Sequence, residues 1–208
     1  VKYYELVQRA NLRYRSLKRI TEPVVEPVSL AEAKSHLRVD ADFDGDDQYV
    51  MSLISAARYH VETVCDRTLI RSQWQIKLDT FPSWDIELPR PPITTGDIVV
   101  TYIPSDGVYQ PVPFTNFRED RDATPAVIRP QWNRTWPSTR GAENDVVITY
   151  WAGYGEDGRS VPAPARHAML MLIGGWYANR ESIIQGAMNP VPMAVEMLLG
   201  SINWGQYR

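Results

Sequence analysis

The chain has 208 residues, 44% hydrophobic and 11% aromatic, with a formal net charge of −3. That is ample apolar material for the core of one domain, or of one domain carrying an insertion, and it excludes an intrinsically disordered chain. A single cysteine, Cys65, excludes an intramolecular disulfide and fits a reducing compartment. No apolar run approaches the roughly 18 residues of a membrane span, and no signal-peptide or lipidation pattern is visible, so the expectation is a soluble protein with no membrane partner.

The charge is unevenly spread. Residues 1 to 20 hold Lys2, Arg9, Arg13, Arg15, Lys18 and Arg19 against Glu5 alone, whereas residues 40 to 47 read DADFDGDD. Such opposite ends are able to pair between copies of the chain, which makes Arg9, Arg13, Asp42, Asp44 and Asp46 candidate subunit-interface residues. Within the basic segment Tyr3, Leu6, Val7, Ala10, Tyr14 and Leu17 share an arc of about 100° on a helical projection. Two readings stand: a terminal helix packed on its own domain, or an arm docked on a partner. No stacking module or groove-reading motif accompanies the bases, which argues against a nucleic-acid site.

Thr21 to Val28, with Pro23 and Pro27, predicts an extended linker. Ser29-Leu30-Ala31-Glu32 is a capping box, and it predicts a helix from Leu30 to Arg38 with Leu30, Ala33 and Leu37 inward. A second, longer helix follows through Val50, Ile54, Ala57, Val61 and Val64, ending near Asp66. Between them, Asp40, Asp42, Asp44 and Gly45 match the first half of a calcium-binding EF-hand loop, but the twelfth position, which needs a bidentate glutamate, is Met51. The expectation is no metal, with Asp46 or Asp47 at a helix N-terminus explained by capping and the helix dipole.

From Ser72 to Tyr150 the period becomes strand-like. Trp74, Ile76 and Leu78 alternate with polar residues, 98 to 103 is rich in β-branched residues, and Asp106-Gly107 marks a hairpin turn. Further strands are expected at 126 to 129 and 146 to 151. Ten prolines force short strands and long loops, so the region is a small antiparallel sheet or sandwich. Trp132 and Trp136 fall in one of those loops. A pair of exposed tryptophans is able to form a carbohydrate platform, but in a proline-rich loop it more commonly packs on its own sheet or on a neighbouring subunit, and both are candidate interface residues.

Val161 to Glu181 is the longest apolar stretch. Pro162 and Pro164 suit a first helical turn, Met169, Leu172, Ile173 and Trp176 fall on one face, and Leu170, Met171 and Tyr177 widen it. This is the expected central helix, and Leu37, Ile54, Val61, Met169, Leu172, Ile173 and Trp176 form the expected core. Gly174 and Gly175 predict the close approach of a neighbouring backbone. Pro192 starts a short fourth helix carrying Ala194, Met197 and Leu198, which Gly200 ends. Trp204, Tyr207 and Arg208 lie beyond it, and aromatic residues in a terminal peptide call for burial, on the domain itself or on a partner.

No catalytic constellation is visible. His36, His60 and His167 lie on separate predicted helices without ligand spacing, and no nucleophile elbow, phosphate loop or zinc pattern occurs. Gly153-Tyr154-Gly155 leads into Ser160-Val161-Pro162 and not directly into a helix, so it is a strand-to-helix turn. The expectation is a non-enzymatic protein without catalytic residues, metal or cofactor.

Taken in order, EPVSLAEAKSHLRVD, the acidic loop with DDQYVMSLISAARYHVE, IELPRPPI, VVITYWAGYG, VPAPARHAMLMLIGGWYANRE and the short terminal helix resemble the head-tail connector (adaptor) proteins of long-tailed bacteriophages and gene transfer agents. The resemblance runs from about Glu26 to Leu199. It implies an α+β fold: a four-helix connector core with a small antiparallel β region inserted between the second and third core helices, preceded here by a basic N-terminal segment. The corresponding divisions are 1–28, 29–71, 72–152, 153–200 and 201–208. The resemblance further implies a virion protein at the head-tail junction, assembled in the host cytoplasm into a homo-oligomeric ring of twelve copies beneath the portal protein. A tail-side stopper or tail-completion protein would follow, and DNA would pass through the channel without sequence-specific binding. Trp204, Tyr207 and Arg208 become candidate portal contacts, and the aspartate loop an interface or channel-facing surface. Two competing readings are a carbohydrate- or host-surface-binding module that uses Trp132 and Trp136, and an enzyme of a new type.

Overall fold

The computed structural model describes residues 14–83, 85–180 and 193–203. They fall into two compact units, a helical one within 23–71, 89–92 and 153–208 and a β unit within 1–22, 72–88 and 93–152. The architecture is α+β, with four helices and antiparallel sheets among the described residues.

The helical unit comprises α1 (Leu30–Leu37), α2 (Asp47–Cys65), α3 (Ala163–Ala178) and α4 (Met193–Gly200). The central position expected of α3 is observed: it packs on α1, α2 and α4. Ala165, Ala168, Met169, Leu172 and Ile173 are buried there against Val50, Ile54, Ala57 and Val61 of α2. Withdrawing Met169, Leu172 and Ile173 from water contributes about 2 kcal/mol each. Leu37 and Trp176 are only half-buried and pack against this core from its margin. Gly174 and Gly175 do not admit a neighbouring backbone: a Cβ at Gly174 would meet the His36 ring at 3.4 Å, and nothing lies within 4 Å of one at Gly175.

Two helix faces are rotated from expectation. Val64 is exposed and Cys65 is fully buried, because the stripe advances by four from Val61. On α4 the buried residues are Val195 and Leu199, leaving Met193 and Met197 exposed. The capping box is half formed. Ser29 Oγ accepts from the Glu32 N–H at 3.2 Å, but the Glu32 carboxylate accepts from Arg166 Nη2 at 2.6 and 2.7 Å, tying α1 to α3. Arg166 Nε also donates to the Pro27 carbonyl, and Glu26 accepts from Ser55 and Arg58, so the end of the expected linker is part of the helical unit, with Val28 fully buried.

The β unit holds β1 (Ser16–Arg19), β2 (Ser72–Leu78), β3 (Ile86–Glu87), β4 (Val99–Tyr102), β5 (Gln110–Pro111), β6 (Phe117–Asp120), β7 (Val127–Pro130) and β8 (Val146–Ala152). One sheet has the order β1-β2-β8-β4-β5 and a second the order β3-β7-β6. Both long central strands alternate strictly, with Trp74, Ile76 and Leu78 opposite Tyr150, Ile148 and Val146. Their buried faces join Ile86, Phe117 and Ile128 of the second sheet, and Leu88 just past β3, in one core. The hairpin turn at Asp106-Gly107 is present, with Gly107 at φ 79° and Asp106 Oδ1 accepting from the Val108 N–H.

The basic helix expected near the N-terminus is not what Ser16–Arg19 form: they are the edge strand β1, paired with β2. Tyr14 and Leu17 pack on the β core, and Arg19 lies 4.8 Å above the Trp74 ring. The edge of a sheet outweighed the local helical pattern, since four residues of ladder pairing satisfy backbone groups that a frayed terminal helix leaves to water. Residues 1–13, with Arg9 and Arg13, lie outside the described residues.

Candidate functional site

The aspartate loop owes its shape to a buried ammonium. Lys34, on α1, is 5% exposed, and its Nζ donates to the Ala41 carbonyl at 2.9 Å, the Phe43 carbonyl at 2.6 Å and Asp47 Oδ1 at 2.8 Å. Three protons meet three acceptors, so the amine occupies the middle of a loop whose first half resembles a calcium site. No group of three histidine, cysteine or acidic residues among the described ones is placed to hold a metal. Asp40, Asp42 and Asp44 are exposed around it, with the Phe43 ring half exposed among them.

Asp46 and Asp47 do not cap α2 as expected. Asp46 stands at the N-cap position with φ −107° and makes no capping hydrogen bond. Its carboxylate instead accepts from Tyr177 Oη and Arg180 at the end of α3. The Arg180 hydrogen bond, then that of Tyr177, holds the Asp46 carboxyl below its ordinary value, and the same carboxylate raises the Tyr177 phenol. The Arg180 guanidinium also lies 4.7 Å over Tyr49 and 4.5 Å over Tyr177, so the four side chains close α2 onto α3 within the subunit.

In the β unit the two loop tryptophans part company. Trp136 stacks on Phe81 with centroids 4.8 Å apart and planes at 6°, and it packs on the β core. Trp132 is 86% exposed. No two-ring platform is formed by this pair. Trp136 instead links a row of rings, Phe114 to Phe117 at 5.4 Å, Phe117 to Trp136 at 6.1 Å and Phe81 to Tyr102 at 6.0 Å. A depression of about 430 Å³ lies nearby, lined by Arg118, Glu119, Asp120, Arg121, Asp122 and Arg129. Its charges largely satisfy one another: Arg121 bonds Glu119 and the Thr94 and Gly96 carbonyls, and Arg129 pairs with Asp85 and Asp120.

His36 and His167 are exposed, and His60 meets Trp176 edge-on at 6.2 Å. Gly153 and Gly158 pack on backbone, since a Cβ at Gly153 would sit 2.5 Å from the Arg71 nitrogen and one at Gly158 would sit 2.6 Å from the Pro27 carbonyl, while one at Gly155 would meet the Ser160 side chain. That is the strand-to-helix turn expected of them, passing through a 3-10 turn at Gly158–Ser160. Residues 27–91 match the family model of the phage gp6-like head-tail connector protein. Over that segment the chain is similar to the phage head-tail connectors.

The matched segment spans α1, the lysine-centred loop, α2, β2 and β3. Three solved chains share the fold over nearly the whole length. One, from the neck of an empty gene transfer agent particle computed with C6 symmetry, is 24% identical with a TM-score of 0.75, covering 90% of this chain and 95% of its own. A second, from the virion of a native gene transfer agent particle, is 22% identical at 0.69, covering 88% and 94%. A third, from the neck of a native particle computed with C12 symmetry, is 21% identical at 0.63, again covering 88% and 94%. No curated protein matches the chain. Trp204, Tyr207 and Arg208 lie outside the described residues. The sequence reading gave no role to Lys34, Phe43 or Phe114, and it took Arg180 as returning the chain to water, where Arg180 in fact bonds Asp46. Lys34, one turn into an amphipathic helix beside an all-acidic loop, carried a readable signal; the ring row around Phe114 carried none, because its members are scattered from Phe81 to Trp136.

Proposed function

We propose that the protein is a head-tail connector, a structural neck component that assembles as a ring beneath the portal, joins capsid to tail and leaves a channel for DNA. The observation that carries the reading is the shared fold with gene transfer agent neck chains over about nine-tenths of both partners, together with the connector match at 27–91. Twelve is the copy number of this reading; one similar neck chain comes from a particle computed with C12 symmetry and another from one computed with C6. The function is then mechanical, and its requirements are two complementary faces per subunit and a rigid core. The helical unit supplies rigidity through the Glu32–Arg166 and Lys34–Asp47 pairs. A net charge of −3 suits a channel that lets DNA slide without holding it. We assign Trp204, Tyr207 and Arg208, which follow α4, to the portal contact, because aromatic residues beside a short helix suit burial on a partner. A stopper or tail-completion protein is the partner on the opposite side.

Native mass measurement of the chain, alone and mixed with its cognate portal, tests the reading. The expected result is a complex holding a closed set of copies, twelve per portal ring, which is lost when the chain is cut after Ser201. A chain that stays single and binds no portal overturns it.

A further inference from the structure

Trp132 is the most exposed large apolar side chain among the described residues of the β unit. The turn that presents it is well defined. The Arg134 N–H donates to the Gln131 carbonyl at 2.8 Å, with Asn133 in the left-handed region at φ 57°, a conformation that asparagine tolerates better than most residues. The Gln131 N–H donates to the Asn116 carbonyl at 2.9 Å, continuing the β6–β7 ladder beyond the Phe117–Pro130 pair. Residues 131–134 therefore run beside the 3-10 turn Phe114–Asn116. Phe114 is 65% exposed and is the outer end of the ring row rooted in the β core. Aromatic groups presented on a defined backbone spare a binding partner the cost of ordering the loop, and with arginine they form the centres of protein interfaces. The arginines are Arg118 and Arg134, both exposed and neither ion-paired among the described residues.

The helical unit carries a surface of opposite charge. Asp40, Asp42 and Asp44 are exposed, make no ion pair among the described residues, and surround the half-exposed Phe43 ring. That ring lies over Gly45, where a Cβ would come within 2.8 Å of it, and the loop backbone is held from below by Lys34. An aromatic ring among unpaired acids on one surface matches aromatic rings among unpaired bases on another.

We propose that these surfaces meet between copies of the chain. The acidic loop of one copy seats on the Trp132 turn of the next, with Phe43 against Trp132 and Phe114, and with Asp42 and Asp44 toward Arg118 and Arg134. Because one chain carries both surfaces and they differ, the contact is heterologous, the type that closes rings. The inference rests on the ring reading above and names the residues that make the ring.

Intermolecular disulfide trapping tests it with the full chain. The Asp42→Cys and Arg134→Cys variants are purified separately, mixed and oxidised mildly; the native Cys65 is buried and stays out of the reaction. A heterodimeric disulfide between the two variants is expected at least about tenfold faster than between Asp42→Cys and a Ser105→Cys control on the exposed β4–β5 hairpin. The charge-reversed Arg118→Glu/Arg134→Glu and Asp42→Arg/Asp44→Arg chains are each expected to weaken self-association in sedimentation, and the chain carrying all four changes to regain it. Equal trapping rates, or reversals that leave association unchanged, overturn the pairing. A ring found by mass measurement without the disulfide shows that other surfaces make the ring. The disulfide and charge rescue without any closed ring keep the contact and remove the ring reading.

Discussion

Lys34 is the side chain whose loss is easiest to calculate from the structure. Its Nζ gives three hydrogen bonds, two to carbonyls of the loop and one to Asp47, whose side chain is 29% exposed while that of Lys34 is 6% exposed. Lys34→Met keeps the stem and removes the charge. Removing one partner of a fully buried pair costs about 3–5 kcal/mol, because the other charge is left without compensation. Here Asp47 and the exposed loop carbonyls regain water in part, so about 2–3 kcal/mol is expected. Cys65 is the reporter, being fully buried in the same unit, and its labelling by a thiol reagent under conditions of fast reclosing follows the opening free energy. The variant is expected to label about 30- to 150-fold faster than the wild type, at about 1.4 kcal/mol per decade. Asp47→Asn combined with Lys34→Met is expected to cost less than the sum of the two single changes. A labelling rate within about threefold of wild type would refute the reasoning, since the ammonium would then contribute no more than an exposed surface pair.

Asp46→Asn tests the clamp at the end of α3. The folded carboxyl titrates below its unfolded value, so its contribution is present above about pH 5 and is lost as pH falls through the folded value. The melting temperatures of wild type and variant are expected to differ at pH 7 and to converge as the pH falls through the folded value of the carboxyl; a difference independent of pH would contradict this. Trp176→Ala is expected to cost about 2 kcal/mol and not the 3–5 of a fully buried ring, because Trp176 is half-buried at the core margin beside His60. A change in the denaturation midpoint corresponding to less than about 0.5 kcal/mol would show that the ring makes no stabilising contact. Burial pushes the Cys65 thiol up to about 11, so at pH 8 it should resist alkylation in the native protein. Its Sγ lies 3.8 Å from the Leu199 carbonyl, and Leu199→Ala should speed alkylation by loosening α4; an unaltered rate would show that α4 does not guard it.

Periodicity by itself determined the helices α1, α2 and α3 and the two long strands β2 and β8, because each carries enough regularly spaced apolar residues to demand one buried face. The order of segments, with strands between the second and third helices, was likewise legible, as was the connector resemblance, which the match at 27–91 bears out. Shorter elements were not. Ser16–Arg19 carry a helical pattern yet form a strand, because the open edge of β2 offers backbone pairing that no local sequence can announce. β3 and β6 are too short for any period to emerge and exist only through pairing with β7. The interaction surfaces depended still more on tertiary structure. The sequence places Trp132 and Trp136 four residues apart and alike, but only the position of Phe81 and Phe117 decides that Trp136 packs on the β core while Trp132 stays exposed. In the same way five aspartates look equivalent along the chain. Packing assigns Asp46 to Arg180 and Asp47 to Lys34 and leaves Asp40, Asp42 and Asp44 outward, because a carboxylate keeps its charge cheaply only where a cation or water faces it.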